Sequence, residues 1–124
     1  MRNNVFFEAR GNAFYAPTWT PEQINALTMD HNLWYQAEGT MIAAASENYS
    51  MLTFADYQGA RKKEPHSRVA DPVFENPAQR NFRLAATSPC IDAGMDLGYK
   101  ADYGQGIIPQ GKGPDIGAFE RKGV

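Results

Sequence analysis

The chain has 124 residues and a mass of 13.8 kDa, enough for one hydrophobic core and not for two. Its 12 Lys and Arg against 14 Asp and Glu, a net charge of -2 and a pI near 5.6 exclude the basic footprint of a nucleic-acid or anionic-lipid binder. A hydrophobic content of 43%, a mean hydropathy of -0.52 and no apolar run near the ~20 residues of a membrane span describe a folded chain that does not cross a bilayer.

Met1 to Arg10 holds no apolar stretch of signal-peptide length, so the chain as given is expected to stay in the cytoplasm. Val5, Phe6 and Phe7 read as the middle of a strand that begins almost at the first residue, which leaves a complete small product and a piece of a longer chain as alternatives. The same segment opens an internal repeat. Asn4-Val5-Phe6-Phe7-Glu8-Ala9-Arg10-Gly11 matches Asn32-Leu33-Trp34-Tyr35-Gln36-Ala37-Glu38-Gly39 at an offset of 28 residues, with a fainter echo at Val73-Phe74-Glu75-Asn76. Each unit reads as a short strand that starts beside a turn-forming Asn and ends at a turn Gly. A period of this length built from strand, turn and strand is that of one solenoid coil stacked on the next.

Between the two units, Thr20, Pro21 and Gln23 have the spacing of a capping box with proline at the first helical position, so a short helix is expected there. Met41 to Ala44 is a further candidate strand. Thr53 is expected to cap a second short helix that Gly59 breaks, and Arg61-Lys62-Lys63-Glu64-Pro65 reads as a charged, exposed turn. Eight of the eleven glycines stand at or after Gly94, with Pro109 and Pro114 among them. That composition describes an irregular tail wrapping a fold and ending in the strand-like stretch from Asp115 to Glu120.

Two blocks in the second half, Ser88-Pro89-Cys90-Ile91-Asp92-Ala93-Gly94 and Gly113-Pro114-Asp115-Ile116-Gly117-Ala118-Phe119-Glu120, follow Val69-Ala70-Asp71-Pro72-Val73-Phe74 and Asn81-Phe82-Arg83-Leu84. In this order they resemble the C-terminal end of right-handed parallel β-helix proteins of the pectate-lyase-like, choice-of-anchor Q kind. The resemblance covers roughly residues 30 to 120, and the repeat extends it to the start. It implies an all-β, short right-handed parallel β-helix of about two to three coils, with short helical loops and a glycine-rich C-terminal cap. The expected single domain, 1–124, divides into coils over 1–76 and a cap over 77–124. Proteins of this kind are usually secreted or displayed at the cell surface. Their lyase or hydrolase carboxylates sit on middle coils that have no counterpart here, so no catalytic residue is carried over.

The candidate ligand surface is Trp19, Asp30, His31, Trp34 and Tyr35, in which aromatic faces would stack on sugar rings; Tyr15 and Tyr57 are further aromatics of the same use. Asp30 and His31, with the distant His66, make a weak metal signal that a turn histidine explains better, and no metal site is expected. Asp92, Asp96 and Asp102 could together hold calcium, but they lack EF-hand spacing and turn carboxylates account for them as well. Gly104 with Gly106 and Gly111 with Gly113 do not complete a phosphate loop, and the lone Cys90 is expected as a packed small side chain that excludes an internal disulfide and a cysteine-rich zinc site. No cofactor is therefore expected.

A stacked coil buries its face only against neighbours, so the first coil is expected to expose strand edges and aromatics. Either upstream coils cover it or two chains meet there as a two-fold dimer. The functional expectation is a non-catalytic segment with a structural or self-association role. A carbohydrate-binding module, or a remnant of a polysaccharide lyase or hydrolase, is the alternative. An ordinary small α+β domain with an accidental repeat is the third reading.

Overall fold

A computed structural model describes residues 1–122. The repeat becomes direct strand pairing. β1 (Val5–Phe7) runs parallel to β3 (Leu33–Tyr35), with Val5 opposite Leu33, Phe6 opposite Trp34 and Phe7 opposite Tyr35. β2 (Phe14–Ala16) runs parallel to β4 (Ile42–Ala44), with Phe14 opposite Ile42. Identical registers place like side chains over like: Phe6 stacks on Trp34 with ring centroids 4.1 Å apart, Phe7 stacks on Tyr35 at 5.7 Å, and Asn4 N–H donates to Asn32 Oδ1 at 2.9 Å.

The parallel progression then stops, and the chain is not the all-β parallel β-helix that the resemblance implies. Among the described residues it folds as three small sheets, mixed in strand direction, with two short α-helices, two 3-10 turns and no closed solenoid wall. Three local events explain the difference. Ala45 and Ser46 both adopt left-handed φ values of 51° and 68°, the geometry of a type I′ turn, so the chain doubles back as β5 (Glu47–Tyr49) antiparallel to β4. The third segment beside β3 is β6 (Arg68–Val69), only two residues long. The echo at Val73–Asn76 joins no stack, because β7 (Phe74–Asn76) pairs antiparallel with β8 (Asn81–Leu84).

The helices arise from local signals. In α1 (Pro21–Asn25) the Thr20 hydroxyl accepts from Gln23 N–H and the Gln23 side chain accepts from Thr20 N–H, closing the capping box. α2 (Phe54–Arg61) follows Thr53 without a side-chain cap, and Gly59 lies inside it; the helix ends instead at the left-handed Lys62. Ile24 of α1 and Phe54 and Tyr57 of α2 close one core with Trp34, Ile42 and Tyr49. No helix among the described residues is long and apolar enough to cross a membrane.

The sheet of β1, β3 and β6 is covered on both faces. Phe6 and Trp34 point into the first core, and Val5, Leu33 and Tyr35 point to a second one formed with Leu84, Cys90 and Ile116. The two tail blocks build that second core by bonding to each other: Ile116 N–H donates to Cys90 O at 2.9 Å, Gly94 N–H to Pro114 O at 2.8 Å, and Asp92 N–H to Asp115 Oδ1 at 2.8 Å. A Cβ on Gly94 would stand 3.0 Å from the carbonyl oxygens of Pro114 and Asp115, so a larger residue here would push the two tail segments apart by a few tenths of an ångström. Asn3 straps the tail to the first strand, donating to Met95 O at 2.8 Å and accepting from Met95 N–H at 2.9 Å. The stretch from Asp115 to Glu120 is irregular and is not a strand.

Candidate functional site

The five residues of the expected ligand surface do not share one face. Trp19 is 41% exposed in the loop before α1, whereas Trp34 is fully buried in the first core and Tyr35 is half-buried against the second. Asp30 and His31 do come together, at the entry to β3, and the fold adds His66 from the turn before β6.

The carboxylate of Asp30 organises this cluster. Its Oδ1 accepts from His66 N–H at 2.8 Å, and its Oδ2 lies 2.7 Å from His66 Nδ1 and 3.3 Å from His31 Nδ1. The imidazoles stack with centroids 4.8 Å apart and an angle of 20° between their planes. Partial burial raises the Asp30 carboxyl, but hydrogen bonds from the ring and backbone of His66 and the backbone of His31 outweigh it and hold the group below the ordinary aspartate range. His31 takes a left-handed φ of 55°, fixed on one side by the bond from Asn3 N–H to His31 O.

Behind the cluster stands a residue the sequence places at the surface. Glu64 is fully buried, and Lys63 is nearly so, donating from Nζ to Asn25 O and Leu27 O. The Arg61–Pro65 stretch is therefore exposed only in part: Lys62 and Pro65 face solvent, whereas Lys63 and Glu64 find partners inward. Glu64 Oε1 accepts from Asn32 Nδ2 at 2.7 Å, Trp34 Nε1 at 3.0 Å and Ser67 Oγ at 3.1 Å. Its Oε2 is buried without a partner. Burial pushes the Glu64 carboxyl above the ordinary glutamate range despite those three donors.

The acidic residues of the tail serve its own backbone. Asp96 accepts from Gly98 N–H, Asp92 from Gly113 N–H at 3.2 Å, and Asp102 from Gly106 and Glu120 N–H, both at 2.7 Å. Among the described residues, the one trio of histidine, cysteine or acidic side chains grouped closely enough to hold an ion is Asp30, His31 and His66. Cys90 is buried in the second core, where burial pushes its thiol up to about 11.

A second feature lies beside β1. A groove of about 890 Å³ runs between that strand, the β7–β8 hairpin and the tail, walled by Phe7, Phe74, Phe82, Tyr103 and Phe119. Glu8, Arg10 and Arg80 are charged residues on its lining, and Tyr103 is 82% exposed. Sequence reasoning missed this wall because its aromatics come from separate elements with no common period.

Compared with protein-family models, curated proteins and solved structures, the chain matches none of them.

Proposed function

We propose that the protein is a non-catalytic, self-associating structural module whose contact surface is the open edge of β1 and β2. The observation that carries this reading is the position of both strands: each ends its sheet, on the side away from its parallel partner. Leu33 N–H donates to Asn4 O and Glu8 N–H donates to Tyr35 O, so the alternation of a parallel ladder turns the N–H and C=O of Val5 and Phe7 outward. Phe6 and Phe14 are half-buried at this end and Tyr15 is 71% exposed. An edge of free backbone groups flanked by apolar side chains is a template for another strand, and a second copy offers the same edge across a two-fold axis.

Light scattering on a size-exclusion column across a range of concentrations tests this. A dimer is expected for the unmodified protein and a monomer for Val5→Pro, which removes an outward donor and leaves the bonds to β3 in place. Tyr15→Lys, which places a charge on the same edge, is expected to act likewise. An unmodified protein that stays monomeric at high concentration would overturn the reading.

A second reading rests on the groove beside β1, where exposed Tyr103 and Phe82 share a wall with Glu8. Exposed rings beside a carboxylate are the features a polysaccharide site uses, and the resemblance of the tail blocks to pectate-lyase-like proteins points the same way. On a glycan array, binding that Tyr103→Ala abolishes is the expected result. Equal signal from both proteins would remove the groove as the site.

A further inference from the structure

We propose that Asp30, His31 and His66 bind one divalent transition-metal ion of the zinc class, through two imidazoles and one carboxylate oxygen. The three donor atoms already lie within 4.8 Å of one another. A tetrahedral ion with ligands about 2.0 to 2.2 Å away sets neighbouring donors roughly 3.3 to 3.6 Å apart. Asp30 Oδ2 and His31 Nδ1, at 3.3 Å, stand at that spacing, and Asp30 Oδ2 and His66 Nδ1, at 2.7 Å, are slightly inside it.

Three features favour an ion over a purely structural cluster. His31 Nδ1 is shut off from water and makes no hydrogen bond, because its approach to Asp30 Oδ2 is close in distance but not aligned. A dehydrated ring nitrogen without a partner is what a metal satisfies. The bond from His66 N–H to Asp30 Oδ1 turns Oδ2 alone toward the rings, the monodentate presentation that a small cation needs. The His66 side chain is 67% exposed while those of Asp30 and His31 are mostly covered, so two ligands are held by packing and the third is held only by its bond to Asp30 and its stack on His31, from which it can turn toward an incoming ion without disturbing a core.

The ligand set also selects the ion. Two imidazole nitrogens suit zinc, nickel, cobalt or copper, whereas calcium and magnesium take oxygen shells. Three protein ligands leave a fourth position for water. The backbone that presents them is anchored independently of any ion: Asp30 N–H donates to Met1 O at 3.1 Å, and Asn32 N–H beyond His31 donates to Ser67 Oγ at 2.9 Å beyond His66.

The test is titration of the untagged, chelator-treated protein with Zn²⁺ by calorimetry and with Co²⁺ by visible absorption. One Zn²⁺ per chain is expected, with an intense Co²⁺ band of four-coordinate geometry and no heat from Ca²⁺. His66→Ala and Asp30→Asn are each expected to weaken Zn²⁺ binding by about tenfold or more and to abolish the Co²⁺ band. The His66 side chain is exposed, so that variant keeps its core and decides the matter if Asp30→Asn fails to fold. Absence of Zn²⁺ uptake by the unmodified protein, or unchanged affinity in His66→Ala, would overturn the proposal.

Discussion

Replacing Glu64 with alanine is expected to cost the protein roughly 3 to 5 kcal/mol, a large share of the ~5 to 15 kcal/mol that holds a domain together. The reason is not the loss of a charge but the fate of its partners. Asn32 Nδ2, Trp34 Nε1 and Ser67 Oγ all donate to one oxygen of this side chain in the interior. Removing the acceptor leaves the single indole N–H without a partner and takes one of the two bonds of the Asn32 amide, which keeps Met1 O, while the serine hydroxyl can rotate elsewhere; each N–H left unpaired in the interior costs about 1 to 3 kcal/mol. Glu64 also takes a left-handed φ of 54°, but alanine meets the same backbone penalty there, so the difference reports on the carboxyl. Glu64→Gln keeps an acceptor oxygen for the three donors and is expected to lie much closer to the unmodified protein. Urea unfolding checks both variants. An alanine variant within about 1 kcal/mol of the parent would mean that the three donors find other partners.

Glu64 also shows where sequence reading stops. A run such as Arg61-Lys62-Lys63-Glu64-Pro65 reads as surface because isolated charges are expensive to bury. What brings Glu64 inside is a set of donors from β3 and from Ser67 that local sequence does not display. The placement of His66 beside His31 is hidden for a related reason. His66 stands 35 residues after His31, and the bond from Asn32 N–H to Ser67 Oγ spans the same 35, whereas the visible repeat is 28. The longer interval accommodates α2, so the second turn of the chain has no matching period.

The legible parts are those in which neighbours in sequence carry the signal. Asn4 to Gly11 and Asn32 to Gly39 could be aligned because their side chains stack in register, Phe6 on Trp34 and Phe7 on Tyr35. The Thr20 capping box lies within four residues and formed as its spacing dictates. By contrast, Glu47-Asn48-Tyr49 has no strand composition and becomes β5 only because the turn at Ala45 and Ser46 lays it against β4. That turn, with the short β6 and the antiparallel β7–β8 pair, separates a mixed fold from a stack of parallel coils.

Trp34→Ala is the second substitution expected to be severe, at about 3 to 5 kcal/mol for the emptied core volume and more for the bond to Glu64. The indole is fully buried, stacked on Phe6 at 4.1 Å and tilted against Phe54 at 6.2 Å, so no neighbour can move far enough to refill the space. Trp34→Phe separates the two contributions: it keeps most of the ring but leaves Glu64 with one donor fewer, and a loss of about 1 to 2 kcal/mol is expected. Trp19→Ala, in an exposed loop, is expected to fall within about 0.5 kcal/mol of the parent. This contrast distinguishes a packing tryptophan from a solvent-exposed one. It also bears on the edge of β1, because Phe6 is held by Trp34. A Trp34→Ala protein that stays folded at low temperature should lose self-association before it loses its fold, and light scattering alongside circular dichroism reads both. Self-association that survives in that variant would place the contact away from β1.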